Sequence, residues 1–196
     1  TDEALAYLQY TSGSTRAARG VMVSHRNLAA NLERVQESVR QTADSCSVQW
    51  LPLYHDMGLT SLLFALYVGF PSVVMSPAQF LQRPVRWLQA ITRYKATLSG
   101  GPNFAYQLCA ERVRADDRAG LDLSTWQTAY CGAEPVREVT YRQFFKAFGP
   151  CGLKETTYAP CYGLAEYVAA ATAQQFGDKV RFLSLDAAAL RSGQVE

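Results

Sequence analysis

Thr11-Ser12-Gly13-Ser14-Thr15 sets four hydroxyls around one glycine, with Arg16 and Arg19 close behind. Such a turn can curl backbone N–H and side-chain O–H donors around an anion while the guanidinium groups supply positive charge. It is not the Gly-Lys-Ser/Thr form of phosphate loop, and without context it also reads as an ordinary solvated Ser/Thr/Gly turn. Three later groups have complementary chemistry. His55-Asp56 is a polar pair at the end of an apolar stretch. Gly132-Ala133-Glu134 is a small-residue platform that a flat ring could approach closely. Tyr162 could stack on that ring, with Gly163 and Leu164 following it, and Glu166 is a hard oxygen ligand suited to Mg²⁺ bridging phosphate oxygens. Each residue has a plainer reading: Tyr162 as a core aromatic, Glu166 as a surface or capping carboxylate, Glu134 as a turn residue before proline, His55 as a satisfied structural histidine. Together they form an inventory for a nucleotide.

The elements that must position these residues alternate. Leu5 to Tyr10 reads as a buried strand, and Gly20 to Val23 could pair with it. Ser24 caps a helix whose Leu28, Leu32, Val35 and Val39 fall at helical spacing. Val48 to Leu51 is a short strand, Leu59 to Val68 a helix closed by Gly69, Ser72 to Met75 a strand, and Pro77 and Pro84 open two helical pieces. Thr97 to Ser99 runs into Gly100-Gly101-Pro102, and the next helix is expected to turn Phe104, Leu108 and Val113 inward. Trp126 to Tyr130, the helix Val136 to Phe148, a strand at Thr156 to Tyr158, and a final strand (180–185) and helix (186–191) complete the series. Strands alternating with helices predict an α/β fold with a mostly parallel sheet flanked by helices, and all four glycine-bearing loops are expected at the carboxyl ends of strands, where such sheets bind ligands.

With 196 residues, 48% hydrophobic and 18% charged, the chain can bury a sizeable core. Nineteen basic against seventeen acidic residues leave a net charge of +2, too balanced to favour nucleic acid or an anionic membrane surface. The longest apolar run, Leu62 to Phe70, is about half of the roughly 20 residues a membrane span requires. The acidic start, Thr1-Asp2-Glu3, is unlike a signal peptide, so a cytoplasmic protein is expected. Five dispersed cysteines and two histidines give neither zinc-ligand spacing nor a disulfide framework. The absence of an initiator Met and a first segment that reads as a strand already under way suggest part of a longer protein.

The run LQYTSGSTRAARGVMVSHRNL resembles the phosphate-binding signature of the adenylate-forming enzymes, with Arg16, Ala18 and Arg19 where that family usually has Gly, Pro and Lys. WLPLYHDMGL, ALYVGFPSVVMSP, FLQRPVRWLQAITRY, SGGPNFAYQLC, YCGAEPV and YGLAEYV resemble, in order, its fatty acyl-AMP ligase branch. The resemblance implies ATP-dependent conversion of a fatty acid, expected to be long-chain, to acyl-AMP, releasing pyrophosphate, and transfer to the phosphopantetheine thiol of an acyl carrier protein in polyketide- or lipopeptide-type biosynthesis. It assigns Thr11, Ser12, Gly13, Ser14 and Thr15 to the phosphates, and Gly132, Ala133, Glu134, Tyr162, Gly163 and Leu164 to AMP. Glu166 falls to Mg²⁺, and His55, Gly101, Asn103 and Phe104 to the acyl pocket, His55 with a catalytic role as well. The family's C-terminal lysine and ribose-binding TGD aspartate do not occur here. The resemblance therefore implies that residues 1–196 are part of a large N-terminal AMP-binding domain, reaching the start of an acyl-AMP-ligase insertion at about 179–196, without a C-terminal domain and inactive alone. A coenzyme A ligase, an amino-acid adenylation domain and a catalytically silent binding module remain the alternative readings.

Overall fold

Residues 1–11 and 19–194 are described by the computed structural model. Strands β1 (Leu5–Tyr10) and β2 (Gly20–Ser24) pair antiparallel as a separate two-stranded sheet. The Thr11 N–H donates to the Arg19 carbonyl at 2.9 Å and closes the neck of this hairpin. The pairing expected between these two segments is thus present, and the chain between them is not the expected loop at the carboxyl end of a strand of the parallel sheet. Helix α1 (His25–Val39) follows at once. Ser24 caps it as expected: its Oγ accepts from the Asn27 N–H at 3.2 Å, while Asn27 Oδ1 accepts from the Ser24 N–H at 3.1 Å.

The main sheet is built from β3 (Ser47–Gln49), β4 (Ser72–Val74), β5 (Leu98–Gly101), β6 (Thr128–Cys131), β7 (Tyr158–Gly163) and β8 (Ala170–Ala173). Its spatial order is β4-β3-β5-β6-β7-β8, parallel from β4 through β7, with only β8 antiparallel. The connections carry α2 (Asp56–Val68), α3 (Pro77–Gln82), α4 (Val85–Tyr94), α5 (Asn103–Arg112), α6 (Ala115–Arg118) and α7 (Glu138–Phe148). A short α8 (Ala187–Arg191) follows, capped by Asp186.

Successive residues of β5 face opposite ways and separate two cores. Leu98 joins Leu32, Val39, Phe64, Ala65 and Phe70 beneath α1 and α2. Ser99 turns to the other face and accepts from Trp87 Nε1–H at 2.7 Å, while its own hydroxyl donates to the Val48 carbonyl at 2.6 Å. Trp87 is fully buried, its ring 5.3 to 6.0 Å from those of Trp126, Tyr106, Phe80 and Trp50. The indole thus fills the larger core with its own N–H paired.

Three expectations fail. Phe104 is 41% exposed: the helix that starts at Asn103 turns Ala105, Tyr106 and Cys109 inward, with the expected Val113 buried after it and Leu108 partly buried against the same core. Residues 180–185 form no strand, since nothing pairs with them; Phe182 packs on Tyr141 at 5.2 Å and Leu183 stays 81% exposed. The expected end of a strand at Tyr158 is the beginning of β7, which continues through Cys161 and Tyr162 to Gly163.

Replacing Trp87 by Ala empties the centre of the aromatic cluster. The expected loss is about 3–5 kcal/mol of stability, read as a lower urea midpoint at unchanged m-value. A loss below about 1 kcal/mol would show that the cluster does not hold the larger core together.

Candidate active site

Two buried glutamines fix the loop that carries His55. Gln49, at the end of β3, donates through Nε2 to the carbonyls of Leu51 at 3.1 Å and Gly58 at 2.9 Å, and its Oε1 accepts from the Leu51 N–H at 2.6 Å. Gln9 of β1 donates to the Tyr54 carbonyl at 3.1 Å, tying the hairpin to the same loop. Gly58 permits this closure: a Cβ there would lie 2.2 Å from the Pro52 carbonyl oxygen. His55 is then the N-cap of α2, its Nδ1 2.8 Å from Asp56 Oδ1. With the proton on Nδ1, the imidazole donates to Asp56, whose Oδ1 also takes the Met57 N–H at 2.6 Å. The hydrogen bond from Asp56 raises the His55 pKa; partial burial opposes it, and the carboxylate charge adds to it.

The chain leaves β6 through Gly132 and a left-handed Ala133, at φ 66°. Few residues other than glycine adopt this conformation, and such backbone strain concentrates at ligand sites. Glu134 uses its carboxylate to accept the Phe104 N–H at 2.7 Å, at the open amino end of α5. Gly132 packs against the next strand so closely that a Cβ would sit 2.7 Å from the Cys161 carbonyl oxygen. At the end of β7, Tyr162 stands 63% exposed. Gly163 meets the returning chain where a Cβ would be 1.7 Å from the Ala169 carbonyl oxygen. Leu164 is extended and leads into a short 3-10 turn, Ala165–Tyr167, that carries Glu166 on the surface.

These pieces border two spaces. A largely apolar cavity of about 230 Å³ lies between the sheet and helices α1 and α2, lined by His55, Thr60, Phe64, Leu98, Tyr130, Ala133, Tyr162 and Gly163 among others. An open groove of about 700 Å³ lies beside it, bounded by Val21, Met22 and Val23 of β2, by Asn27 and Asn31 of α1, and by Glu166 and Tyr167. Burial pushes the Tyr130 phenol up to about 12, the Cys131 thiol to about 12 and the Cys161 thiol to about 11. All three are neutral at physiological pH, so neither cysteine is a nucleophile here. No group of three or more His, Cys, Asp or Glu residues that could hold a metal occurs among the described residues. Glu166 alone suits a hard cation that takes its other ligands from phosphate and water.

His55, Ala133, Tyr162 and Gly163 thus meet at one cavity, with Glu166 in the adjoining groove. Gly101, Asn103 and Phe104 do not line that cavity. Gly101 lies against Trp50, 2.6 Å from the position of a would-be Cβ, and the Phe104 ring is edge-on to the same indole at 6.2 Å. Asn103 is buried, donating to Thr140 Oγ1 at 3.2 Å and accepting from the Arg137 N–H at 3.0 Å. Thr11 sits at the hairpin neck, where its Oγ1 accepts from the Arg19 N–H at 3.4 Å; Ser12, Gly13, Ser14 and Thr15 lie outside the described residues. The sequence reading missed Thr60, Ser61 and Tyr130 in the cavity wall, although hydroxyls inside the apolar run of α2 were a usable signal. The Ser61 Oγ lies 3.2 Å from the Tyr130 hydroxyl.

The profile of the family described as AMP-binding enzyme matches residues 1–187. The chain belongs to this family. JamA, a medium-chain-fatty-acid–[acyl-carrier-protein] ligase of Moorena producens (strain JHB), is 47% identical over 194 residues, which cover 98% of this chain and 33% of that protein. TtuA, a ligase of the same description from Teredinibacter turnerae (strain ATCC 39867 / T7901), is 40% identical over 192 residues, covering 97% of this chain and 30% of its own. The crystal structure of a fatty acyl-adenylate ligase from L. pneumophila, in complex with acyl adenylate and pyrophosphate, superposes with a TM-score of 0.91 at 47% identity, over 94% of this chain and 33% of that one. The chain spans about a third of the length of the curated relatives it matches. The mostly parallel sheet is the one expected from the alternation of strands and helices, and the AMP-binding fold is the one that the resemblance implied.

In an NMR titration, the His55 imidazole is expected to hold its proton above the ordinary value of 6.5, and Asp56→Asn to lower its pKa. The folded protein binds this proton more tightly than the unfolded chain. The stabilisation is therefore fully present below the unfolded pKa and is lost as pH rises through the folded one. A His55 that titrates at or below 6.5 would contradict the pairing.

Proposed function

We propose that this chain forms the nucleotide- and acyl-facing part of a fatty acyl-AMP ligase, within the N-terminal domain of a longer protein. The reaction is activation of a fatty acid by ATP to acyl-AMP and pyrophosphate, followed by transfer of the acyl group to the phosphopantetheine thiol of an acyl carrier protein. The observation that carries the reading is the meeting of Ala133, Tyr162, Gly163 and His55 at one apolar cavity, with Glu166 in the groove beside it. The relatives from Moorena producens and Teredinibacter turnerae, both medium-chain-fatty-acid–[acyl-carrier-protein] ligases, support a fatty acid and a carrier protein as the substrates.

In this reading the left-handed turn at Ala133 and the exposed ring of Tyr162 hold the base, and Gly132, Glu134 and Leu164 shape the backbone around it. The hydroxyls from Thr11 to Thr15 hold the phosphates. Glu166 would hold Mg²⁺, which when bound supplies positive charge to the phosphate oxygens. His55, held by Asp56 at the amino end of α2, presents an imidazole edge to the cavity that can hydrogen-bond the carboxylate of the acid. One carboxylate oxygen attacks the α-phosphorus, and the bond to the pyrophosphate oxygen breaks. No covalent bond to the protein is needed, and the chain contributes orientation and charge placement. No helix among the described residues is long and apolar enough to cross a membrane, and a cytoplasmic location is part of the proposal.

The whole protein is expected to release pyrophosphate from MgATP only when a fatty acid is present, and to load holo acyl carrier protein. The 196 residues alone are expected not to do so. Tyr162→Ala should raise the KM for ATP about 10-fold, the scale of one lost base-stacking contact, with little change in melting temperature. A whole protein that forms no acyl-AMP from any fatty acid would overturn the reading, and an active 196-residue chain would overturn its assignment to part of a domain.

A further inference from the structure

Asn31 lies in the first half of α1, where asparagine is a poor helix former. Its amide makes two long-range contacts: Nδ2 donates to the carbonyl of Tyr167 at 3.0 Å and to that of Ala170 at 2.8 Å. These carbonyls flank a γ-turn centred on Val168, which has φ 69° and ψ −58°, with the Ala169 N–H donating back to the Tyr167 carbonyl at 2.8 Å. A β-branched residue holds that conformation only where its surroundings leave no alternative. Here Gly163 closes one flank and the Asn31 amide the other. The Asn31 Oδ1 is buried without a partner, so the donors of this side chain are what the structure uses.

Glu166 sits within the short turn that runs into Val168. From the Ser24 cap to Asn31 is about two turns of helix, roughly 10 Å. A short rigid path therefore runs from β2, through α1 and the Asn31 amide, to the backbone that carries Glu166. Asn31 and Glu166 also line the same groove. We propose that Asn31 is a positioning residue: by clamping the Val168 turn to α1 it sets the place of the Glu166 carboxylate relative to the phosphate hairpin, and so the response of nucleotide binding to Mg²⁺. This rests on the reading of Glu166 as the carboxylate that holds Mg²⁺.

The test uses the whole protein with Asn31→Ala, Asn31→Asp, Glu166→Gln and the double variant Asn31→Ala/Glu166→Gln. The Asn31→Asp variant keeps the side-chain volume and removes both donors. ATP binding is measured by calorimetry across a range of Mg²⁺ concentrations, and exchange of the Ala169 amide by hydrogen–deuterium exchange. Both Asn31 variants are expected to raise the half-saturating Mg²⁺ about 10-fold, the scale of a lost outer-shell contact, to speed Ala169 exchange, and to leave ATP binding without Mg²⁺ within about twofold. In the Glu166→Gln background, Asn31→Ala should add nothing further to the Mg²⁺ requirement, because no carboxylate is left to place. If Asn31 variants weaken ATP binding equally with and without Mg²⁺, or if the two substitutions add, Asn31 only supports the fold and the proposal is overturned. If Glu166→Gln binds Mg²⁺ and ATP like the parent, the metal reading fails and takes the positioning role with it. A sensitive Glu166→Gln beside unaffected Asn31 variants overturns the positioning role alone.

Discussion

From β3 the chain first builds outward to β4, then returns across β3 to lay β5, β6 and β7 on its other side. Crossovers between parallel strands are right-handed, so reversing the direction of travel moves the connecting helix to the opposite face of the sheet. Helix α2 therefore joins α1 beneath one face, while α3, α4, α5 and α7 cover the other, and the two hydrophobic cores are separate. The reversal also parts the loops that leave β3 and β5, the place where open α/β sheets bind ligands. The His55 loop and the Gly101 turn diverge there, with Trp50 beside the Gly101 turn. The apolar cavity lies on the α1 and α2 side, which only one crossover helix covers.

The sequence pattern was a good guide wherever one local force dominates. The Ser24 cap, the left-handed Gly69 that ends α2, and the prolines that open α3 and α4 each act within a few residues, and each stands where it was read. The parallel sheet followed from alternation alone. Features that depend on distant partners were not legible. A strand at 180–185 has the right residues but no neighbour to bond with among the described residues, and the inward face of α5 is the one that packs on α7 and the larger core. Nor did residue types reveal that the phosphate-loop hairpin stands as a sheet of its own, because antiparallel pairing of β1 with β2 uses the same apolar pattern as a parallel strand.

At the site the division is similar. The glycine and aromatic residues that reach the cavity could be named from the sequence, but not the side chains that hold them. Gln9 and Gln49 look like ordinary polar residues in apolar runs, yet both are buried and between them fix the loop before α2. Glu134 was read as part of a base platform, and its carboxylate is engaged at the start of α5. Asn103 belongs to the framework, because both ends of its amide are satisfied within the protein. Backbone strain at Ala133 and Val168 has no sequence signature, since neither residue type favours the conformation it adopts.

The raised pKa values of Tyr130, Cys131 and Cys161 bear on the direction in which a nucleotide can enter. These groups carry no charge at neutral pH, so Tyr130, Cys131 and Cys161 put no ionised side chain between β6 and β7. Ionisable groups stand around them: His55 and Asp56 at the α2 end of the cavity, Arg19 at the hairpin neck and Glu166 in the groove beside β2. Under the proposed reading, a molecule with a neutral head and an anionic tail puts its head, not its tail, against this uncharged stretch of wall. The protein then sorts right-way-round from wrong-way-round binding before any specific hydrogen bond to the base is made.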